Sequence, residues 1–281
     1  MKVINKPIAG MAALLCAAGL MIAGATGANA VESEAAGLPD RIVNGDFSYP
    51  GWGNLNYGDN RWWTSVADGA SYVVHGSGNA SWEPIDGFDQ SLFGWSSTQT
   101  DCVASNEAWL PGQCRAGAVE LQNAHEGGNT YAEITAAQEN TAIYQDIATI
   151  PGAVYTWSLK HASLNAKHVD AMSVMIGEPG HETAQEAERV TVNGHGDQTG
   201  PVGTVIRTKV DNQIDNQVTD QWETYEGTYT ATSTITRFTF KAIEGVDDTT
   251  GNKIDDISFQ ISYPLAYDLQ GGNGIIPNKE Q

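Results

Sequence analysis

The chain is poor in basic residues and in cysteine. Its 281 residues include 14 Lys and Arg against 34 Asp and Glu, which gives a formal net charge of −20, and only three Cys. An acidic surface repels nucleic acid and anionic membranes, so partners of both kinds are excluded. Three cysteines are too few for a four-cysteine zinc framework. With 41% apolar and 17% charged residues, the composition indicates an acidic globular protein.

Motifs of known catalytic sites are lacking as well. The sequence contains no H-E-x-x-H, no G-x-S-x-G and no phosphate-binding glycine loop. Glycosidases need two facing carboxylates, but among 34 acidic residues some pair always looks suitable, so abundance is not evidence. The sequence therefore predicts a protein that is not an enzyme.

Long apolar runs are confined to the N-terminus. An apolar stretch at residues 8–22 follows Lys2 and Lys6, and the A-N-A at 28–30 fits the small-x-small rule of signal peptidase. Residues 1–30 are therefore predicted to be a cleaved signal peptide. No later stretch is apolar enough to span a bilayer, so we expect a secreted or cell-surface protein without membrane insertion.

Two cysteines, Cys102 and Cys114, follow the predicted signal peptide and lie close together in a loop-like stretch. An exported protein can form disulfides, so we predict that the two are bonded and staple this loop. The surrounding residues, 76–117, show no sustained apolar period and are predicted to be a long loop insertion.

Short aromatic and β-branched runs alternate with turn residues over the rest of the chain. Examples are residues 62–66 and 70–74, which Asp68-Gly69 separates, and residues 154–159 after the turn at Pro151-Gly152. Such runs are typical of β-strands, and no amphipathic helical pattern interrupts them. The pattern predicts an all-β fold, an antiparallel β-sandwich whose first strand begins near Arg41.

The predicted organisation has four segments. The signal peptide (1–30) is followed by a flexible, acidic lead-in (31–40), a β-sandwich with long loop insertions (41–262) and a tail (263–281), which is either the truncated start of a repeat or disordered. Sandwiches and barrels of roughly 200–250 residues often form a single domain, so we expect no further division of the sandwich.

Several segments resemble a known kind of sandwich. The N-G-D-F at 44–47 and the I-D-D-I-S-F at 254–259 resemble the opening and closing strands of galactose-binding-like sandwiches of the carbohydrate-binding-module type. Residues 62–68 resemble a W-x-T-T-A-x-D pattern, and residues 131–136 an A-E-L-N-A pattern, of such modules in Gram-positive surface proteins. The resemblance implies a jelly-roll sandwich that binds carbohydrate.

The resemblance extends into the tail but has one departure. The Y-P-L-A-Y-D-L at 263–269 resembles the start of an internalin-type β-grasp repeat, which implies a vestige or a piece of a longer surface protein. At Ala162-Ser163-Leu164 the chain lacks the arginines that often follow the histidine in relatives. If those arginines bind ligand in the family, this site is lost or altered here.

Tryptophan is well suited to stack on a sugar, because its broad ring is apolar and its N–H is polar. Trp82, Trp95 and Trp109 lie in loop-like stretches and are predicted to contact ligand. Trp62 and Trp63 are adjacent, so on a strand they point to opposite faces. One of the two is then expected in the core and the other exposed, and Trp62 joins the candidate ligand contacts.

Polar side chains on the predicted strands extend this set. Glu133, His161 and Asp170 fall within the strand motifs, where a concave sheet could bring them together as a hydrogen-bonding patch. The alternative is that they are ordinary solvent-facing strand positions. Trp157 and Trp222 alternate with apolar residues and are expected in the core.

The resemblance also implies a structural calcium ion. In sandwiches of this type calcium commonly bridges the opening and closing strands, and the carboxylates of Asp46 and of Asp255 or Asp256 match those positions. Oxygen ligands on an acidic protein suit Ca²⁺. Side chains alternate along a strand, so only one of Asp255 and Asp256 can face the site. A hydrogen-bonded strand end without metal is the alternative.

Together these features predict a secreted or cell-surface, non-catalytic module that binds a glycan or host glycoprotein. It is expected to be a monomeric module of a larger surface protein, a bacterial adhesin. Two alternatives stay open, a structural spacer that holds a distal domain away from the wall and an accessory module of a glycan-active enzyme. Burial of all tryptophans would favour the spacer, and sugar release would reveal the enzyme module.

Overall fold

A computed structural model describes the chain in ten stretches, residues 35–59, 62–101, 112–123, 129–163, 168–191, 199–209, 213–214, 217–218, 222–247 and 250–263. These stretches belong to one compact unit that begins at Ala35. The predicted signal peptide, nearly all of the predicted tail, Trp109 and Cys102 lie outside the described residues. Cys114 is disulfide-bonded, and its pairing with Cys102 stays a prediction.

Strands dominate the described chain, because β-branched and aromatic residues alternate with polar ones between turns rich in Gly, Asn and Pro. In chain order the strands are β1 (Trp63–Ala67), β2 (Ala70–His75), β3 (Asn79–Pro84), β4 (Ser96–Ser97), β5 (Val119–Asn123), β6 (Thr130–Glu133), β7 (Ala142–Ala148), β8 (Val154–Ala162), β9 (Val169–Gly177), β10 (Thr183–Ala184), β11 (Ala187–Thr191), β12 (Gly200–Gly203), β13 (Ile206–Lys209), β14 (Gln213–Ile214), β15 (Gln217–Val218), β16 (Glu223–Thr230), β17 (Ile235–Glu244) and β18 (Lys253–Ile261).

One short helix, α1 (Gln90–Phe93), interrupts the strands. The Asp89 carboxylate accepts a hydrogen bond from Ser91 N and begins the helix, and Gly94, in the left-handed region with φ 75°, ends it. Two 3₁₀ turns, Trp52–Asn54 and Gly76–Gly78, are also present. None of the helices described here is long and apolar enough to cross a membrane.

The strands form two large antiparallel sheets and a small hairpin. Sheet I has the strand order β12-β11-β16-β8-β18-β6-β5-β1-β2-β3, and sheet II has the order β10-β9-β17-β7-β4, with β13 also paired to β9. Strands β14 and β15 pair with each other. The register is antiparallel in both sheets, for example between β8 and β16 and between β7 and β17, which confirms the predicted antiparallel fold.

One face of each sheet contributes to a common core. Leu121, Trp157 and Phe259 of sheet I pack in the same cluster as Phe238 and Phe240 of sheet II. The ring of Phe238 lies 6.3 Å from that of Trp157 and 5.2 Å from that of Phe259, centroid to centroid. Burial of these rings away from water is the main stabilising contribution, and the two-layer arrangement confirms the predicted β-sandwich.

Two predicted features of the fold are wrong. Residues 41–47 do not form a strand, because Asn44 and Phe47 adopt left-handed backbone conformations with φ 54° and 50°. Asn44 Oδ1 accepts a hydrogen bond from Tyr49 N at 2.8 Å, which turns the chain at this point. The stretch 76–117, expected to be a loop insertion, contains β3, α1 and β4.

Replacing Phe238 by Ala tests how the sheets are joined. Phe238 is fully buried between them, so we expect a loss of about 3–5 kcal/mol in the free energy of unfolding, since lost transfer energy and a cavity add. Urea unfolding measures this loss. Leu92→Ala, at a position 52% exposed, is the control and should cost less than about 0.5 kcal/mol. A similar small loss for Phe238→Ala would contradict the packing.

Candidate functional site

The face of sheet I that points away from the core carries an unusual set of side chains. On β5, Leu121 points into the core, so Glu120 and Gln122 point to the opposite side. Gln122 is the cross-strand partner of Trp63 on β1 and of Tyr131 on β6, which places these three side chains on one face. We call this surface the outer face of sheet I.

A buried polar cluster lies in the middle of the outer face. It consists of Glu120, Gln122, Glu133 and Lys253, each at most 4% exposed, and we call it the Glu133 cluster. Gln122 Nε2 donates hydrogen bonds to Glu120 Oε1 at 2.7 Å and to Glu133 Oε2 at 2.5 Å. Lys253 Nζ forms an ion pair with Glu133, and Gly251 N donates to Glu133 Oε1 at 2.5 Å. Sequence reasoning identified only Glu133 of this cluster.

Burial raises the pKa of both carboxyl groups in the cluster. For Glu120, burial and then the neighbouring Glu133 charge hold the pKa well above its ordinary value. Burial also raises the pKa of Glu133, and the charge of Lys253 opposes that shift. Two carboxyl groups therefore share one ammonium, with the proton held on Glu120 and Glu133 paired to Lys253.

An aromatic patch adjoins the Glu133 cluster along β1, β2 and β3. It consists of Trp63 and Tyr72, which are buried, and of Trp62 and Trp82, which are partly exposed and pack against them. Ring centroids lie 6.2 Å apart for Trp63 and Tyr72 and 5.5 Å apart for Tyr72 and Trp82. Trp62 precedes β1, so its ring contacts Trp63 edge to face at 6.4 Å instead of pointing to the opposite side, as strand alternation predicted.

The partly exposed Trp82 is held in place by two contacts. Its Nε1 donates a hydrogen bond to Gly112 O at 2.9 Å. The guanidinium of Arg115 lies 5.1 Å from the centre of the ring and also approaches the Asp68 carboxylate at 3.5 Å. The ring is therefore both reachable from solvent and fixed in orientation.

The structure places the predicted tryptophans in different environments. Trp62 and Trp82 are partly exposed, and their role as ligand contacts stays a prediction. Trp95, by contrast, is 1% exposed, stacks on Phe47 at 5.2 Å and donates from Nε1 to Asn44 O at 2.8 Å. The prediction for Trp95 is corrected, since its ring has no face left for a ligand. The polar residues around Trp95 in the sequence gave no indication that its ring would be buried.

Trp157 and Trp222 are buried, as expected, but on opposite faces of sheet I. Trp157 belongs to the common core between the sheets. Trp222 precedes β16 and packs edge to face on Tyr131 at 5.2 Å, beside the Glu133 cluster. Only the first is therefore part of the core that the sequence pattern predicts.

The structure does not bring Glu133, His161 and Asp170 together as the sequence predicted. His161 is the cross-strand partner of Ile254, whose side chain lies in the core, so it faces away from Glu133. Asp170 is buried on β9 of sheet II, where its carboxylate lies 2.7 Å from His168 Nδ1. Asp170 is the cross-strand partner of Thr208, whose hydroxyl group contacts His161. The predicted hydrogen-bonding patch is therefore corrected, because Glu133 lies on the outer face of sheet I, away from the other two.

His161 instead belongs to a buried network that the sequence did not reveal. Its Nδ1 lies 2.7 Å from Thr208 Oγ1, and its Nε2 lies 2.9 Å from Asn252 Oδ1. Thr208 Oγ1 lies 2.9 Å from Tyr225 OH, which donates to Glu223 Oε2 at 2.6 Å. The network ties β8, β13, β16 and the segment before β18 together within the sandwich.

The carboxylates predicted to hold calcium are engaged by separate protein groups. Asp46 accepts a hydrogen bond from a backbone N two residues on, Asp255 accepts from Asn129 Nδ2 at 3.0 Å, and Asp256 pairs with Lys160 Nζ at 2.5 Å. Among the residues that the structure describes, no three His, Cys, Asp or Glu side chains are grouped to hold a metal ion. The calcium site at Asp46 and at Asp255 or Asp256 therefore stays a prediction from the resemblance.

The two segments that resemble the sandwich ends do meet in the structure. Ile257 N of β18 donates a hydrogen bond to Gly45 O at 2.9 Å. A Cβ at position 45 would lie 2.0 Å from Ile257 O, so the close approach requires glycine. The N-G-D-F segment is therefore attached to the closing strand by its backbone.

Two arrangements of side chains resemble catalytic sites but lack the geometry that catalysis requires. At the sheet edge, Ser81 Oγ and Glu83 Oε1 both approach Nε2 of His75, at 3.2 and 3.1 Å, so the carboxylate does not orient the ring through its other nitrogen. Glu120 and Glu133 are cross-strand partners bridged by Gln122 and buried from solvent, whereas a retaining glycosidase holds its carboxyl groups about 5 Å apart around the sugar. Neither arrangement supports hydrolysis.

Comparisons with known proteins add little. No protein-family model and no curated protein matches the sequence. Among solved structures, a CBM4 structure is 17% identical with a TM-score of 0.30, over 51% of this chain and 77% of that chain. A xylan-binding domain from CBM 22 is 11% identical with a TM-score of 0.29, over 62% and 90%. The N-terminal cellulose-binding domain of Cellulomonas fimi β-1,4-glucanase C is 13% identical with a TM-score of 0.30, over 62% and 91%.

The buried His161 makes stability depend on pH. Burial lowers its pKa to about 4, whereas an unfolded imidazole titrates near 6.5. The folded state then binds fewer protons than the unfolded state between these values. The neutral His161 therefore contributes fully to the free energy of unfolding above pH ~6.5. About 3 kcal/mol of that contribution is lost as the pH falls through ~4.

Urea unfolding between pH 7 and pH 4 measures this loss. His161→Gln should flatten the pH dependence relative to the unchanged protein, because glutamine does not titrate. His75→Gln, at an exposed position, is the control and should keep the full slope. An equal slope in the His161→Gln protein would show that another group causes the loss.

Proposed function

We propose that this protein is a secreted, non-catalytic module that binds carbohydrate through its aromatic patch. The observation that carries the proposal is the pair of partly exposed rings, Trp62 and Trp82, on the buried layer of Trp63 and Tyr72. An indole presents an apolar face to the C–H face of a pyranose and a polar N–H at its edge. Binding sites are typically built from such apolar and aromatic surfaces with a few polar groups.

The surroundings of Trp82 favour binding in a defined orientation. The hydrogen bond to Gly112 O and the guanidinium of Arg115 hold the ring before a ligand arrives, so little side-chain freedom is lost on binding. Arg115 is about one-third exposed and supplies N–H donors for sugar hydroxyls at the rim of the patch.

Charge narrows the class of carbohydrate. The formal net charge of −20 repels sulfated or uronic-acid polymers at a distance. Within the patch, Arg115 is already paired with Asp68, so its charge is compensated. The proposed ligand is therefore a neutral glycan, free or carried on a host glycoprotein.

The wider setting of the module is proposed from the sequence resemblance. On that basis the chain is a monomeric module of a larger adhesin at the bacterial cell surface, exported by the segment at 1–30. The structural spacer is the less favoured alternative, because two tryptophans keep exposed ring surface. No observation on the described residues favours the accessory enzyme module.

A panel of neutral glycans, followed by titration of the best binder, tests the proposed site. Trp82→Ala and Trp62→Ala should each weaken binding about tenfold or more, since a central aromatic contact is commonly worth over 1.4 kcal/mol. Trp52→Ala is the matched control, because that partly buried ring stacks on Tyr57 outside the patch, and its affinity should not change. Folded protein that binds no glycan in the panel would refute the proposal.

Melting temperature tests the calcium ion that the resemblance implies. If calcium binds the folded state alone, the melting temperature should be higher in excess Ca²⁺ than in EDTA, by the equivalent of about 2.7 kcal/mol at a hundredfold excess over the dissociation constant. Asp46→Asn should remove the difference, and Asp86→Asn, which lies outside the resembling segments, should keep it. Identical melting with and without Ca²⁺ would remove calcium from the proposal.

A further inference from the structure

The Glu133 cluster adjoins the aromatic patch but is closed off from solvent, so it has no part in the proposed binding. Lys253 is fully buried, which is rare for a lysine, and its Nζ contacts the carboxyl group of Glu133 directly. The two residues face each other across the adjacent strands β18 and β6. An amine and a carboxyl group held together away from water are the reactants of an amide bond.

We propose that Lys253 and Glu133 become joined by an intramolecular isopeptide bond. Lys253 first passes one proton to the Glu133 carboxylate that it contacts, which gives a neutral amine and a neutral carboxyl group. The Nζ lone pair then attacks Glu133 Cδ, so an N–C bond forms and one Cδ–O bond breaks with its electron pair leaving on oxygen. The ammonium and carboxylate together become an amide and one water molecule, and the two protons lost by nitrogen leave with that oxygen. The step involves no oxidation and no further reactant.

Glu120 is placed to move these protons. Glu120 is the cross-strand partner of Glu133, and Gln122 Nε2 donates hydrogen bonds to both carboxyl groups. Burial raises the pKa of Glu120, so that it holds a proton where an acid is needed. A protonated carboxyl can give its proton to the departing oxygen and take one from the attacking nitrogen. Glu120 is therefore the general acid and base of the proposed step.

Two N–H groups stabilise the charge that develops during the attack. Gly251 N lies 2.5 Å from Glu133 Oε1, and Gln122 Nε2 lies 2.5 Å from Glu133 Oε2. When the amine adds to Cδ, negative charge builds on oxygen, and donors already in place lower the barrier. These contacts resemble the donor arrangement of acyl-transfer sites in geometry, although the acyl group here is a side chain of the same protein.

The site also excludes water, which favours the amide over its hydrolysis. The ring of Tyr131 lies 6.0 Å from Lys253 Nζ, and Trp222 packs on Tyr131. Forming the amide replaces a buried ion pair, which is costly to desolvate, by a neutral group. The product would tie together strands whose linked residues are 120 positions apart in sequence, which restricts the unfolded chain.

Peptide mapping of the reduced full chain tests the bond. Trypsin cuts after Lys and Arg, so an unlinked chain yields residues 116–160, 242–253 and 254–279 as separate peptides. From a linked chain we expect residues 116–160 joined to 242–279, lighter than their sum by one water, with no cleavage after Lys253. Separate peptides from folded protein would overturn the proposal and leave an ordinary buried ion pair.

Three variants separate reaction from folding. Lys253→Met removes the nucleophile and should abolish the linked species. Glu120→Gln keeps the size of the side chain but removes its transferable proton, so we expect a folded protein, checked by circular dichroism, that yields only separate peptides. Lys160→Arg, at the partly exposed Lys160–Asp256 pair, is the matched control and should stay linked. Linkage in the Glu120→Gln protein would overturn the role of Glu120.

Discussion

Side-chain alternation on the strands of sheet I is the constraint on which both the core and the candidate site depend. When Leu121 and Ile254 turn inward to pack against sheet II, their neighbours Glu120 and Lys253 must turn to the outer face. Antiparallel register then sets Glu133 between them. Packing the apolar side chains against sheet II thus forces the neighbouring charged side chains together on the outer face.

The outer face combines two environments with different chemistry. Around Trp82, rings rest on a buried aromatic layer and keep surface for a partner. Around Glu133, side chains are closed off from solvent, and charges remain there only because each is bonded to another group. The first region is open to the proposed ligand, whereas the second is closed off from solvent.

Sequence patterns predicted a feature correctly where a residue and its neighbours in the chain determine that feature. Alternating β-branched and aromatic residues indicated strands, and Trp157 was expected in the core where it lies. Trp95 was misjudged, because its polar neighbours resemble a loop while its ring packs on Phe47, 48 positions earlier in the chain. The hydrogen bonds of His161 were invisible for the same reason, since its partners Thr208 and Asn252 are 47 and 91 positions away.

The sequence alone determined the strand-rich, two-sheet character of the protein and its acidic charge. These follow from local propensity, from composition and from short motifs. Only the tertiary structure decided which tryptophans are reachable and which carboxylates meet Lys253. The reason is that strand order brings together residues from distant parts of the chain, and burial is a property of that assembly, which no single segment encodes.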